Sequence, residues 1–325
     1  MPSSVGSGVS SPSAGCPACG APLPEAAFLH GFDRLHGTPG AFDVRVCSAC
    51  GSGRTFPIVA AEELGRFYPK VYNAYALPEN AVLRALATGL FRWRYRLALR
   101  RPPLGILRRV SPGRLLDVGA GRGDLGVVLG AYGWEVTGLE PSAEACEEGC
   151  RRGVRMVQGA LGSVDADELG SGYDAIVFRH ALEHVVEPKD DLARARGLLR
   201  PGGLLLIALP NFGSWQSRRF GSAWFHLDLP RHRVHFTATG LERLLHDSGF
   251  EQVELATATT SDGLPVSLEY RVFGRRLFRT GIPLYMMLAL ALALIPVSAV
   301  ANSLGGGGDE LDASAVRSDW LMSPR

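Results

Sequence analysis

Three groups of residues have the types and spacing to do chemistry. The first is Asp117-Val118-Gly119-Ala120-Gly121-Arg122-Gly123, a glycine series with an acid two residues ahead of it, closing the apolar run 114–118. Glycine lets the backbone turn sharply and approach a ligand where a Cβ would collide. An acid inside the run can hold a positively charged amine and would repel a diphosphate. Glu140 follows at the end of the next apolar run, where a carboxylate can accept from both hydroxyls of a ribose. The second group is Cys16-Pro-Ala-Cys19-Gly and Cys47-Ser-Ala-Cys50-Gly. Two such turns complete a tetrahedral four-sulfur site that suits zinc, and with no position left open its role is structural. The third group is His180-Ala-Leu-Glu183-His184, just beyond the run 173–178, together with His226, His232 and His235 in a later Trp- and Arg-containing stretch. His180, His184 and His232 are the candidate groups for moving or orienting a proton on an acceptor. The alternative for Glu183 and His184 is a hydrogen-bond network at a helix start, and for His232 a packed loop.

Positioning these groups requires buried strands and covering helices. Short apolar runs at 114–118, 135–139, 154–157, 173–178, 203–209 and 251–256 alternate with helical patterns such as 190–199 and 239–248. Nearly unbroken apolar strands between helices predict a parallel sheet covered on both faces, a doubly wound Rossmann-like α/β fold. The glycine loop then lies at the carboxyl edge of that sheet, where such folds bind ligands. The remaining texture divides the 325 residues into a Gly/Ser/Pro-rich lead (1–15), the paired-cysteine module (16–56), a helical basic cap (57–110), the α/β domain (111–272) and a hydrophobic tail (273–325). The cysteine spacing leaves room for a hairpin insert. Thr237 is expected to cap the helix that follows it. Composition is that of a globular chain, 46% hydrophobic and 20% charged, and the net charge of +2 selects no partner class. Eight arginines without an acid between Arg84 and Arg109 read either as an anion-binding strip or as the outer face of a helix. No secretory signal opens the chain, and the cysteine pairs suit a reducing compartment.

The ordered blocks LLDVGAGRGDLGVVL, GLEPS, YDAIVFRHALEHVVEP, LLRPGGLLLIALPN and PRHRVHFTATGLERLLHDSGF resemble the class I S-adenosylmethionine-dependent methyltransferases. The nearest likeness is to the group holding ubiquinone-type and small-molecule methyltransferases. The resemblance covers about 110–258 and implies cofactor contacts at Asp117, Gly119, Ala120, Gly121, Gly123 and Glu140, with Phe178, Arg179 and His180 lining the pocket. Relatives often carry an adenine-binding acid after the third strand. Gln158-Gly159-Ala160-Leu161 stands here instead, leaving a backbone amide near Ala160 for that contact. Quinone-pathway relatives have Glu-x-x-Glu-His where this chain has His180-x-x-Glu183-His184; those acids and the His can hold a divalent ion. Two imidazoles and one acid would favour a softer ion than magnesium.

The implied activity is methyl transfer to a hydroxyl of a small molecule or a lipid-linked glycan. Trp215, Trp224 and Phe225 offer stacking faces, and Arg231 and Arg233 could bind an acceptor phosphate or carboxylate. The apolar stretch 282–300, bracketed by Pro283 and Pro296 and preceded by arginines, suggests contact with the inner face of a membrane, a span, or a helix buried in protein. The expected location is the cytoplasm, free or held at that face. The competing readings are a non-catalytic cofactor-binding or tethering module and an RNA methyltransferase. Nucleic acid is disfavoured because the insert between the cysteine pairs is not basic.

Overall fold

A computed structural model describes residues 15–68, 89, 92–93, 95–277 and 281–318. The lead expected over 1–15 lies outside the described residues except for Gly15. Arg84, Phe91 and Arg94 of the basic run lie outside them too, as do the side chains of 281–292.

Each apolar run forms a strand where it is expected. These are β4 (Arg114–Val118), β5 (Glu135–Glu140), β6 (Arg155–Gln158), β7 (Tyr173–Arg179) and β8 (Leu199–Pro210), followed by β10 (Phe250–Ala258). The seven-stranded sheet has the order β10-β11-β8-β7-β4-β5-β6. Five strands are parallel, while β11 (Glu310–Arg317) enters antiparallel between β8 and β10. Successive side chains of a strand point to opposite faces. Accordingly Leu116, Ile176 and Ile207 join one buried cluster, and Leu115, Val177 and Leu206 join the other. Helices α1 (Asp124–Gly130), α2 (Ala143–Arg151), α3 (Pro188–Leu198), α4 (Trp215–Phe220) and α5 (Ala238–Asp247) follow the strands. Leu192, Ala195 and Leu198 of α3 and Leu241, Leu244 and Leu245 of α5 cover the first face. Thr237 caps α5 as expected, accepting from the Gly240 amide at 3.1 Å.

Strand β11 corrects the reading of 273–325 as a tail. Leu311, Ala313 and Ala315 are fully buried within the sheet, so the α/β domain includes residues beyond 272. Before β11 come α6 (Gly263–Phe273) and α7 (Gly281–Leu304). Helix α7 is not broken at its prolines: Pro296 lies inside it, and Pro283 sits in the first turn, where a missing N–H is tolerated. Ser298 and Asn302, one turn apart, are buried, and Asn302 bonds Gln216 of α4 and Asp309. Among the described residues no helix is long and apolar enough to cross a membrane.

The cysteine module forms a second sheet, β1 (Leu29–Gly31), β2 (Phe42–Val46) and β3 (Gly53–Phe56), whose first two strands are the expected hairpin insert. Its fourth strand, β9 (Val234–His235), comes from the α/β domain and pairs antiparallel with β3. The module is thereby built into the segment between β8 and α5.

Candidate functional site

Strands β4 and β5 run parallel with Asp117 opposite Gly138, so Asp117 and Glu140 both reach the carboxyl edge of the sheet, and both are buried. Burial and the neighbouring Glu140 push Asp117 up to about 7, against the opposing pull of the Arg179 guanidinium. The glycine loop is tied to the end of β5. The Gly119 and Ala120 amides donate to the Leu139 carbonyl, and the Gly121 amide donates to Glu140 Oε2 at 2.9 Å. Gly119, Gly121 and Gly123 all have positive φ. At Gly119 a Cβ would stand 2.9 Å from that of Ala181, so only glycine lets this turn pass beneath the loop after β7.

That loop carries the imidazoles. His180, with φ 51°, leaves β7 in the left-handed region, a conformation that non-glycine residues adopt at a cost. Its Nε2 lies 2.9 Å from Glu310 of β11, and its Nδ1 lies 3.6 Å from Glu183. Burial would lower its pKa, but these two carboxylates raise it to about 10. His180 is therefore a held cation at neutral pH. A histidine held protonated in this way is a poor acceptor for a further proton. His184 and His232 meet edge to face, with ring centroids 4.7 Å apart. His232 Nε2 lies 3.8 Å from Glu183. Burial, followed by His184, holds His232 down at about 4.

Four sulfurs gather from the two cysteine turns. Cys16 and Cys50 are 3.6 Å apart, as are Cys19 and Cys47, and all six cysteines of the chain are free thiols. Zinc–sulfur bonds of about 2.3 Å in a tetrahedron put sulfurs about 3.8 Å apart, so the residues fit structural zinc. The Cys16–Cys50 hydrogen bond holds Cys50 down at about 4 and pushes Cys16 up. Such a set is neutralised by a cation.

A family model described as a methyltransferase domain matches residues 89–255, just over half of the chain. The chain belongs to the methyltransferase family. Its sheet, with one antiparallel strand inserted beside the parallel set, is that of the class I fold. An uncharacterized 37.1 kDa protein in transposon TN4556 of Streptomyces fradiae is 30% identical over 169 residues, 50% of this chain and 48% of that protein. The ubiquinone biosynthesis O-methyltransferase of Caulobacter sp. (strain K31) is 32% identical over 110 residues, 30% of this chain and 41% of that protein. The chain thus spans less than half the length of these curated relatives. A solved SAM-dependent methyltransferase from Thermotoga maritima, described as a possible histamine N-methyltransferase, shares 17% identity and a TM-score of 0.45. That match covers 73% of this chain and 96% of that one.

S-adenosylmethionine suits this methyltransferase's residues: a glycine loop with no room for a Cβ at Gly119, a buried strand-end acid and a second acid fixed beside it. Asp117, Gly119, Ala120, Gly121, Gly123 and Glu140 are assembled as a unit. Other expected residues fall elsewhere. Phe178 does not line the pocket, because its ring is packed in the core with Leu116 and Leu139. The Ala160 amide donates to Ser163 Oγ at 3.3 Å, so it already has a partner. Arg179 is stacked over Tyr95 and bonds its hydroxyl at 3.1 Å, within the field of Asp117 and Glu310. Arg231 is fully buried and held by Asp33, Asp228 and the Phe67 carbonyl, and Arg233 donates to the Val59 carbonyl. These pairings rule out Arg231 as an acceptor anchor and give Arg233 a structural partner. Trp224 is likewise buried. The residues missing from the sequence reading are Glu310, paired with His180, and the buried Asp312 beside it on β11. Burial, then Glu310, pushes Asp312 up to about 8.

Proposed function

We propose that this methyltransferase moves the methyl group of S-adenosylmethionine onto a hydroxyl of a small molecule or glycan. The observation that carries the reading is the cluster of His180, Glu183, His184, His232 and Glu310 beside the cofactor loop, built around the buried Glu183 and His232. S-adenosylmethionine supplies a methyl on a cationic sulfur, and the protein supplies alignment, dryness and a destination for the acceptor proton. Asp117 and Glu140 would hold the cofactor's polar ends. An amine or thiolate acceptor needs little more, whereas a hydroxyl needs a base or a nearby cation. Carboxylates and imidazoles in this number can accept from several hydroxyls at once. The test is calorimetry with S-adenosylmethionine on the full chain, followed by S-adenosylhomocysteine release across hydroxyl, polyol, amine and thiol acceptors. Turnover confined to amines or thiols would overturn the hydroxyl assignment, and absence of cofactor binding would overturn the whole reading.

Contact with an anionic membrane surface is supported by a separate observation. Val272, Phe273 and Leu277 are exposed after the middle of α6, as are Val297, Val300 and Leu304 on α7, with Arg271 and Arg275 exposed among them. Such a mixture of apolar and cationic side chains suits a lipid interface. Co-sedimentation with phosphatidylglycerol vesicles, but not with neutral ones, is the expected outcome. An RNA-binding role for the cysteine module draws no support, since its β3 edge is paired with β9.

A further inference from the structure

We infer that Glu183, His184 and His232 form a second metal centre, separate from the four cysteines, that takes a borderline divalent cation and fastens the segment between β8 and α5, an acceptor lid that carries His232, to the rim of the cofactor pocket. One donor atom from each of the three residues lies within 4.8 Å of the others. Glu183 is 1% exposed, and among the described residues neither of its carboxylate oxygens has a hydrogen-bond partner. A buried carboxylate that accepts no hydrogen bond is costly, and its ion-pair contacts are long, 3.6 Å to His180 and 3.8 Å to His232. The gap to His232 is too long for a hydrogen bond and suits two donors arranged around an ion.

The two histidines are set as ligands. His232 Nδ1 lies 2.8 Å from the His226 carbonyl, and His184 Nδ1 lies 3.0 Å from the Arg231 carbonyl. A carbonyl only accepts, so each Nδ1 carries the proton and each Nε2 keeps its lone pair. Metal-bound histidines are typically fixed in this way. His180 is not part of the set, because Glu310 takes its Nε2. Where quinone-pathway relatives have a first acid, this chain has that histidine, and the third donor comes instead from the lid. Two imidazoles with one carboxylate favour zinc, cobalt, iron or manganese over magnesium. Three protein ligands leave a position for an acceptor oxygen, whose proton the ion would acidify. That use rests on the methyl-transfer reading above, but metal binding does not.

The test loads the full chain, freed of metal by a chelator, with Co2+ alone and reads stoichiometry and absorbance. The expected result is two equivalents: one with thiolate-to-cobalt absorption, the other with weak visible bands only. His232→Ala is expected to keep the thiolate band and to weaken the second equivalent about 100-fold or more. Cys16→Ser with Cys47→Ser should lose the thiolate band and keep the other. His246→Ala, at an exposed histidine, should keep both equivalents. If His232→Ala fails to fold, the near-isosteric Glu183→Gln decides in its place. A wild-type chain that takes one equivalent, or a His232→Ala chain that still takes two with unchanged affinity, overturns the centre. Cofactor calorimetry on the same samples separates the two claims. One cobalt with intact cofactor binding sinks only the metal centre, and two cobalts without cofactor binding sink only the methyl-transfer reading.

Discussion

Cofactor affinity should depend on pH through one residue, Asp117. Burial and Glu140 hold this acid up at about 7 against an ordinary 3.8, so in the free protein it is protonated through mildly acidic pH. A cationic ligand beside it favours the ionised form. Binding below about pH 7 must therefore expel the proton, and affinity rises with pH until about 7 and then levels. Linkage sets the limit at about tenfold per pH unit, or about 100-fold weaker at pH 5 than on the plateau. Calorimetry with S-adenosylhomocysteine, run in two buffers of different ionisation enthalpy, should show nearly one proton released per cofactor near pH 6. Asp117→Asn removes the titration and the charged hydrogen bond. The slope should vanish, and plateau affinity should fall by about 1.5–3 kcal/mol, roughly 10- to 150-fold. Asp312→Asn, which removes a group pushed up to about 8, should leave the slope in place. A slope that survives in Asp117→Asn, or a flat wild-type profile, would refute the reasoning.

Three further outcomes follow from the fold. Arg231→Met removes the cation from the buried Asp33 and the partly buried Asp228, and should cost about 3–5 kcal/mol in urea unfolding. Ending the chain at Asp309 deletes a strand paired on both sides, by β8 and β10; soluble, cooperatively unfolding protein should not be recovered, as judged by circular dichroism and melting. Removing zinc, by chelation or by Cys47→Ser, should raise hydrogen exchange at Val234 and His235 well above that in β4 and β5. Equal protection in the metal-free protein would show that the cysteine module does not hold the lid.

Most of the sheet is legible in the sequence because its strands are buried on both faces and read as unbroken apolar runs. Strand β11 hides for the opposite reason. Glu310, Asp312 and Ser314 make it look polar, and its core face is only Leu311, Ala313 and Ala315. Their period-two alternation is the signal that could reveal it, but it follows a four-glycine stretch that reads as a linker. Missing β11 also means missing Glu310, one of the two carboxylates that raise the pKa of His180. The lid arginines mislead in a related way. Arg231 looks like an anion binder, yet Asp228, three residues before it, and Asp33, 198 residues away, both engage it. Local spacing can place His184 one turn from His180, but it cannot place His232 beside either.

The two halves of the site are thus held by different means. Residues 117–140 build the cofactor half, where neighbouring parallel strands bring Asp117 and Glu140 together with little help from distant chain. The acceptor half proposed above draws on three remote segments: the loop after β7, the lid and β11. The cysteine module joins the lid to the rest. The Thr55 hydroxyl donates to the His232 carbonyl at 2.8 Å, and the Thr55 amide donates to the Arg233 carbonyl at 3.0 Å. The Thr237 hydroxyl donates to the Cys50 carbonyl at 2.6 Å. An ion held by the four cysteines would therefore fix the backbone beside His232, while leaving the glycine loop untouched. On this logic the module is part of the acceptor site, and loss of its ion should separate acceptor chemistry from cofactor binding.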